Sequence, residues 1–207
     1  MKKIVLFFLL LSFSAFAQNF EGEISYDVTY KSENPQLKPE QLASMMGNKQ
    51  TYTIKDGNYK SAINGQMLQW QLYVKSANKL YTKMSNSKSV FWTDASVQGD
   101  EVISAKVNKS VIEILGYNCD ELVLECKSGV QKYYFNSKLA VDPALFVNHK
   151  FGNWYDFVSR SKALPLKSIV NSGPLEIHSV ATKVNPKKLE ASFFSLPAGV
   201  KLEKSPY

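Results

Sequence analysis

The stretch "ILGYNCDELVLECKSGVQKYYFN", Ile114 to Asn136, decides what kind of domain this chain can build. Leu122, Leu124 and Cys126 fall on one side of an extended chain. Cys119, Glu121, Val123 and Glu125 fall on the other, which is the two-residue period of a β-strand. Lys127-Ser128-Gly129 supplies turn chemistry, and Val130 to Asn136 returns as an aromatic-rich strand, so the segment reads as a hairpin. Cys119 and Cys126 are the only two cysteines. Their odd separation puts them on opposite faces of an unbroken strand. At about 3.3 Å per residue they lie about 23 Å apart, against the roughly 4.4–6.8 Å between Cα atoms that a disulfide needs. Only a sharp bulge or turn near Asn118 to Asp120 would bring them together. Otherwise Cys126 is a small core residue and Cys119 a thiol at the start of the strand.

Both flanks continue the strand rhythm. "EGEISYDVTY" places Ile24, Tyr26, Val28 and Tyr30 on one face, as in a half-buried strand. "KQTYTIK" and "NYKSAI" flank Asp56-Gly57, a favoured two-residue hairpin turn. "MLQWQLYVK" aligns Leu68, Trp70, Leu72 and Val74, and "KLYTKM", "SVFWTD" and "VISAKV" follow after short polar breaks. Downstream, "LPLKSIV" and "PLEIHSVATKV" flank a turn at Ser172-Gly173, and the chain closes on an extended piece. Two segments break the pattern. In "NPQLKPEQLASMMGNK", Pro39 suits a first helical position, Leu42, Met45 and Met46 share a helical face, and Gly47 suits the end. In residues 142–162, Asp142-Pro143 suits a helix start, Asn153 suits an N-cap, and Trp154, Phe157 and Val158 share a helical face. The sum is an α+β fold: some ten antiparallel strands in one large curved sheet, with two helical segments covering one face.

The chain opens "MKKIVLFFLLLSFSAFAQNF": two lysines, an apolar run of about ten residues, and Ala15-Phe16-Ala17 ahead of Gln18. That is the pattern of a cleaved secretory signal peptide over residues 1–17. The apolar run is too short to span a hydrocarbon core roughly 30 Å thick, so no stable transmembrane segment is expected in the mature chain. A periplasmic or secreted location follows. Removal of residues 1–17 from the 207 leaves 190, enough for a single domain over 18–207, and lowers the net charge from +7 to +5. The lysines are scattered, and only Lys187-Lys188 form a local pair. Nucleic-acid binding would want a denser basic stripe with interleaved aromatics.

Three pieces taken together carry a family resemblance: "FEGEISYDVTY", "ILGYNCDELVLE" followed by "KYYF", and "LPL…VNSGPLEIHSVATKVNP…FFSLPAGV". The chain resembles a group of exported domains of Gram-negative bacteria placed with the LolA/LolB-like lipoprotein carriers, over roughly Phe20 to Val200. The resemblance implies an open half-barrel closed by helices over an apolar cavity that accepts acyl chains. No cavity residue transfers by motif.

The residues themselves present no catalytic constellation: no G-x-S-x-G elbow, no H-E-x-x-H, no phosphate-binding glycine loop and no C-x-x-C. A hydrolase is the least favoured class, and no catalytic residue, cofactor or metal is assigned. His149 and His178 with the two cysteines lack zinc-module spacing. His149 reads as a surface residue near a helix end and His178 as a residue on a half-buried strand. Asn108-Lys109-Ser110 matches a glycosylation acceptor and equally an ordinary turn. The aromatics have a plain reading as core and a functional one as the lining of an apolar site. On the functional reading, Met45, Met46, Trp70, Leu72, Trp92, Tyr134, Trp154 and Phe157 line the cavity or form its movable lid. The expectation is a non-catalytic binding protein for a lipid, a lipidated protein or another apolar envelope component. The alternative is an interaction module with a filled core that docks an envelope protein by an exposed sheet edge or face.

Overall fold

A computed structural model of the protein describes residues 19–206. Residues 1–17, expected from sequence to be a signal peptide, lie outside the described residues. Twelve strands form one open sheet: β1 (Gly22–Ser32), β2 (Lys49–Lys55), β3 (Asn58–Ile63), β4 (Leu68–Val74), β5 (Lys79–Met84), β6 (Val90–Asp94), β7 (Val102–Ile114), β8 (Tyr117–Cys126), β9 (Gly129–Ala140), β10 (Ala163–Ser172), β11 (Leu175–Pro186) and β12 (Leu202–Lys204). Their order is β12-β6-β5-β4-β3-β2-β1-β11-β10-β9-β8-β7. Two hairpin meanders are therefore joined where β1 pairs with β11, Tyr26 opposite Ala181 and Thr29 opposite His178. All pairings are antiparallel except β12 with β6, which run parallel through Leu202–Val90 and Lys204–Trp92. That departs from an all-antiparallel reading. A strand arriving after a long crossing segment approaches the edge from the direction its connection dictates, not from a hairpin turn.

Two helices, α1 (Pro39–Met46) and α2 (Trp154–Ser161), interrupt the strands where the sequence breaks its alternation. Each has eight residues, too short to hold in isolation, so packing maintains them. α1 presses Leu42 against Val28 and Tyr30. α2 buries Phe157, Val158 and Ser161. Ile24, Tyr26, Val28 and Tyr30 alternate onto one side of β1, so both helices cover the same, inner face. The connection from β9 to α2 runs through two short 3-10 turns, Pro143–Phe146 and Phe151–Asn153. Asp142 accepts from the Ala144 N–H at 2.9 Å and so caps the first turn, as expected from Asp-Pro. Asn153 does not cap α2 with its side chain. It adopts a left-handed backbone and is fully buried, its amide donating to Cys126 Sγ at 3.3 Å and accepting from Gln98 Nε2 at 3.2 Å.

The outer face is clothed differently. Leu72, Tyr81 and Val90 face away from the helices and are sealed by the C-terminal segment through Leu189, Phe194, Leu196 and Val200. Among the described residues no helix is long and apolar enough to cross a membrane. Cys119 and Cys126 are free and buried on the continuous strand β8.

Candidate functional site

The inner face carries a ladder of aromatic side chains contributed by neighbouring strands. Cross-strand register sets Tyr59 opposite Tyr73 and Ile54 opposite Tyr59, while Tyr52 pairs with Ile24. Every second residue points inward, so these phenols share one surface. Tyr52 and Tyr59 stack with centroids 5.0 Å apart, and Tyr59 and Tyr73 at 5.3 Å. The insert before α2 closes over them. His149 lies 4.2 Å from the Tyr73 ring, Trp154 lies 6.2 Å from Tyr52, and Phe157 stacks on Tyr133 at 4.4 Å. Gly57 makes room for this closure: a Cβ there would come within 2.9 Å of the Leu145 Cβ, and its φ of +81° already favours glycine.

Burial controls the protonation of this cluster. His149 is 1% exposed, and its Nε2 sits 2.7 Å from the Tyr59 hydroxyl. Removal from water pushes its pKa down to about 4, so the imidazole is neutral at pH 7. Burial also raises Tyr26, Tyr52, Tyr59 and Tyr133 above the ordinary phenol value, so all remain uncharged. Tyr26 donates to the Pro165 carbonyl at 2.6 Å.

Between β1, β2, β9, β10, β11 and α2 a half-open chamber of ≈ 140 Å³ remains, lined by Tyr26, Gln50, Tyr52, Tyr133, Trp154 and Pro165, with Ser168 and Ser179. None of these side chains is charged. The larger depressions, such as the ≈ 400 Å³ groove beside the β10–β11 turn, are lined by turn residues and paired charges such as Lys31 and Glu176.

Of the eight residues nominated from sequence, Trp154 and Phe157 belong to this inner cluster. Trp70, Leu72 and Trp92 lie together on the outer face beneath the C-terminal segment. Tyr134 is buried in the same core cluster as Trp154 and Phe157, with Lys167 Nζ 5.1 Å over its ring. Met46 packs beside Leu42 against Val28 and Tyr30, and Met45 is exposed on α1. Alternation assigns partners on a face but not which face is inner, so Tyr26, Tyr52, Tyr59 and Tyr133 are not among the candidates the sequence offers for the cavity. His149, expected at the surface, is in the core because the insert folds back over β3 and β4. His178 is half-buried on β11, its Nε2 2.5 Å from Glu176. Among the described residues no group of three or more His, Cys, Asp or Glu side chains is placed to hold a metal.

The free edge is the other distinctive surface. β7 has a partner on one side only, and its Ile103, Val107, Val111 and Ile112 are exposed together with Leu115 at the hairpin tip. Register shifts at Val102/Ser104 and Asn108/Ile112 leave Ser104 to Asn108 as a regular run facing solvent along the edge.

No family model matches this chain, and no curated protein matches it. Among solved structures, that of PNGF-II is similar at 13% sequence identity and a TM-score of 0.48, over 89% of this chain and 32% of that one. The chain therefore spans about a third of the length of that protein.

Proposed function

We propose that the protein is an exported, non-catalytic component of the cell envelope that docks a protein partner through the free edge of its sheet. What supports this reading is the contrast between a packed interior and an apolar edge. The chamber of ≈ 140 Å³ falls below the roughly 300–1,000 Å³ of pockets that enclose drug-sized ligands. The β7 edge, by contrast, exposes main-chain donors and acceptors beside Val107 and Ala105, where an extended partner segment can add a strand. Lys106 and the two bulges discourage indiscriminate edge-to-edge pairing and favour a short partner strand bearing an acidic residue.

A lipid or lipidated protein held between sheet and helices, as the LolA/LolB-like resemblance implies, would require α2 to leave. Phe157 is 0% exposed in its place against Tyr133. One experiment separates the two. A photo-crosslinking residue is placed at Val107, and at Lys183 of β11 as control, in the native host, while purified protein is extracted for lipid mass spectrometry. The docking reading expects one protein joined from Val107 and not from Lys183, with a complex that reforms from purified components. Stoichiometric lipid with no Val107-specific product would overturn it.

A further inference from the structure

Among the described residues, the buried side-chain polar atoms without a protein partner are Tyr52 Oη, His149 Nδ1, Trp154 Nε1 and Asn171 Oδ1. Two of the four, the Tyr52 hydroxyl and the Trp154 indole N–H, belong to walls of the same chamber. Tyr52 is 8% exposed, so its hydroxyl cannot turn to bulk water. A buried donor left unmade is costly, and native proteins ordinarily satisfy such groups. Neighbouring polar groups do not reach them: Tyr26 spends its proton on Pro165, and the Gln50 amide donates to Ser61 at 2.7 Å.

We propose that this chamber is a binding site for a compact, uncharged, single-ring molecule carrying an acceptor oxygen. Three observations define that class. The volume of ≈ 140 Å³ is close to that of an apolar cavity of about 150 Å³ that admits benzene, so it takes about one ring. The walls offer the rings of Tyr26, Tyr52, Tyr133 and Trp154, and an offset-stacked or edge-on ring suits such surfaces. No lining side chain is charged, which leaves an ion without a counter-charge there. The ligand's oxygen takes the hydrogen bonds that the phenol and the indole do not make within the protein. Half-buried Gln50, Ser168 and Ser179 form the rim through which it enters. The site is separate from the β7 edge and stands or falls independently of docking there.

The test uses the mature full chain with ¹⁵N-labelled tryptophan indoles. Trp70 and Trp92, on the outer face, act as internal controls. Cyclohexanone is titrated against benzene, which lacks the acceptor, and benzoate, which is charged. The expected result is a saturable shift of the Trp154 indole N–H alone, with benzene binding about three- to tenfold more weakly and benzoate not at all. Tyr52→Phe should weaken cyclohexanone by a similar factor while leaving the Trp70 and Trp92 signals in place. Overturning results are no saturation, equal affinity for cyclohexanone and benzene, unchanged affinity in Tyr52→Phe, or a high-resolution structure with cyclohexanone present that shows only ordered water in the chamber. Should Tyr52→Phe disturb the fold, all three indole signals move together, and the cyclohexanone–benzene comparison on the unaltered chain still decides.

Discussion

His149 turns burial into a pH dependence. Its imidazole is held at about 4 in the folded protein by desolvation, against about 6.5 in an unfolded chain. Above pH 6.5 it is neutral in both states and subtracts nothing. As pH falls below 6.5 the unfolded state takes up a proton that the folded state refuses, so stability drops, by about 2 kcal/mol between pH 6.5 and 5. Urea unfolding across that window should show the loss, and His149→Gln should flatten it. The carboxylates held low by partners, such as Glu176 beside Lys31 and His178, act only at lower pH. The cysteines make a second case. Burial pushes the Cys126 thiol up to about 11, helped by the nearby Asp100 charge, and burial raises Cys119 as well. Both should be inert to a disulfide reagent in the native protein at pH 7, and two free thiols should appear on denaturation without reductant. The free state of these thiols follows from spacing along the strand. The burial of His149 does not, because a lone histidine in a loop carries no periodic signal.

Hairpins were legible wherever a turn used turn residues. Asp56-Gly57 joins β2 to β3 as its composition implies, with φ of +48° and +81°. The turn from β7 to β8 was hidden because it uses Leu115-Gly116 with φ of +53° and +77°. A leucine is no turn signal, and its Cβ is strained in a left-handed conformation. Leu115→Asn should therefore raise stability by about 1 kcal/mol in thermal or denaturant unfolding, since Leu115 is 47% exposed and gives up little packing. The same hidden turn explains why β7 reads as a short strand from sequence yet extends to 13 residues. Asn153 shows a different failure. Its position and type suit an N-cap, but the buried contacts with Cys126 and Gln98 outcompete a local bond to the helix.

At the scale of the molecule, the outer face of β3 to β6 depends on a segment that arrives last. Phe194 is 6% exposed over Leu72 and Tyr81, and β12 then caps the β6 edge. Phe194→Ala should cost about 3 kcal/mol in denaturant unfolding and raise binding of a hydrophobic dye as Trp70 and Trp92 open to water. The sequence by itself determined most of the strands, the two helical interruptions and which residues share a side of each strand, because these follow from two- and 3.6-residue periods within a few neighbours. Only the tertiary structure decided which side is inner. The two faces of an amphipathic strand are equivalent until distant chain lands on them: residues 142–161 on one face, and 189–200 on the other. That choice placed Trp70, Leu72 and Trp92 outside and gathered Tyr52, Trp154 and His149 within, from positions about a hundred residues apart.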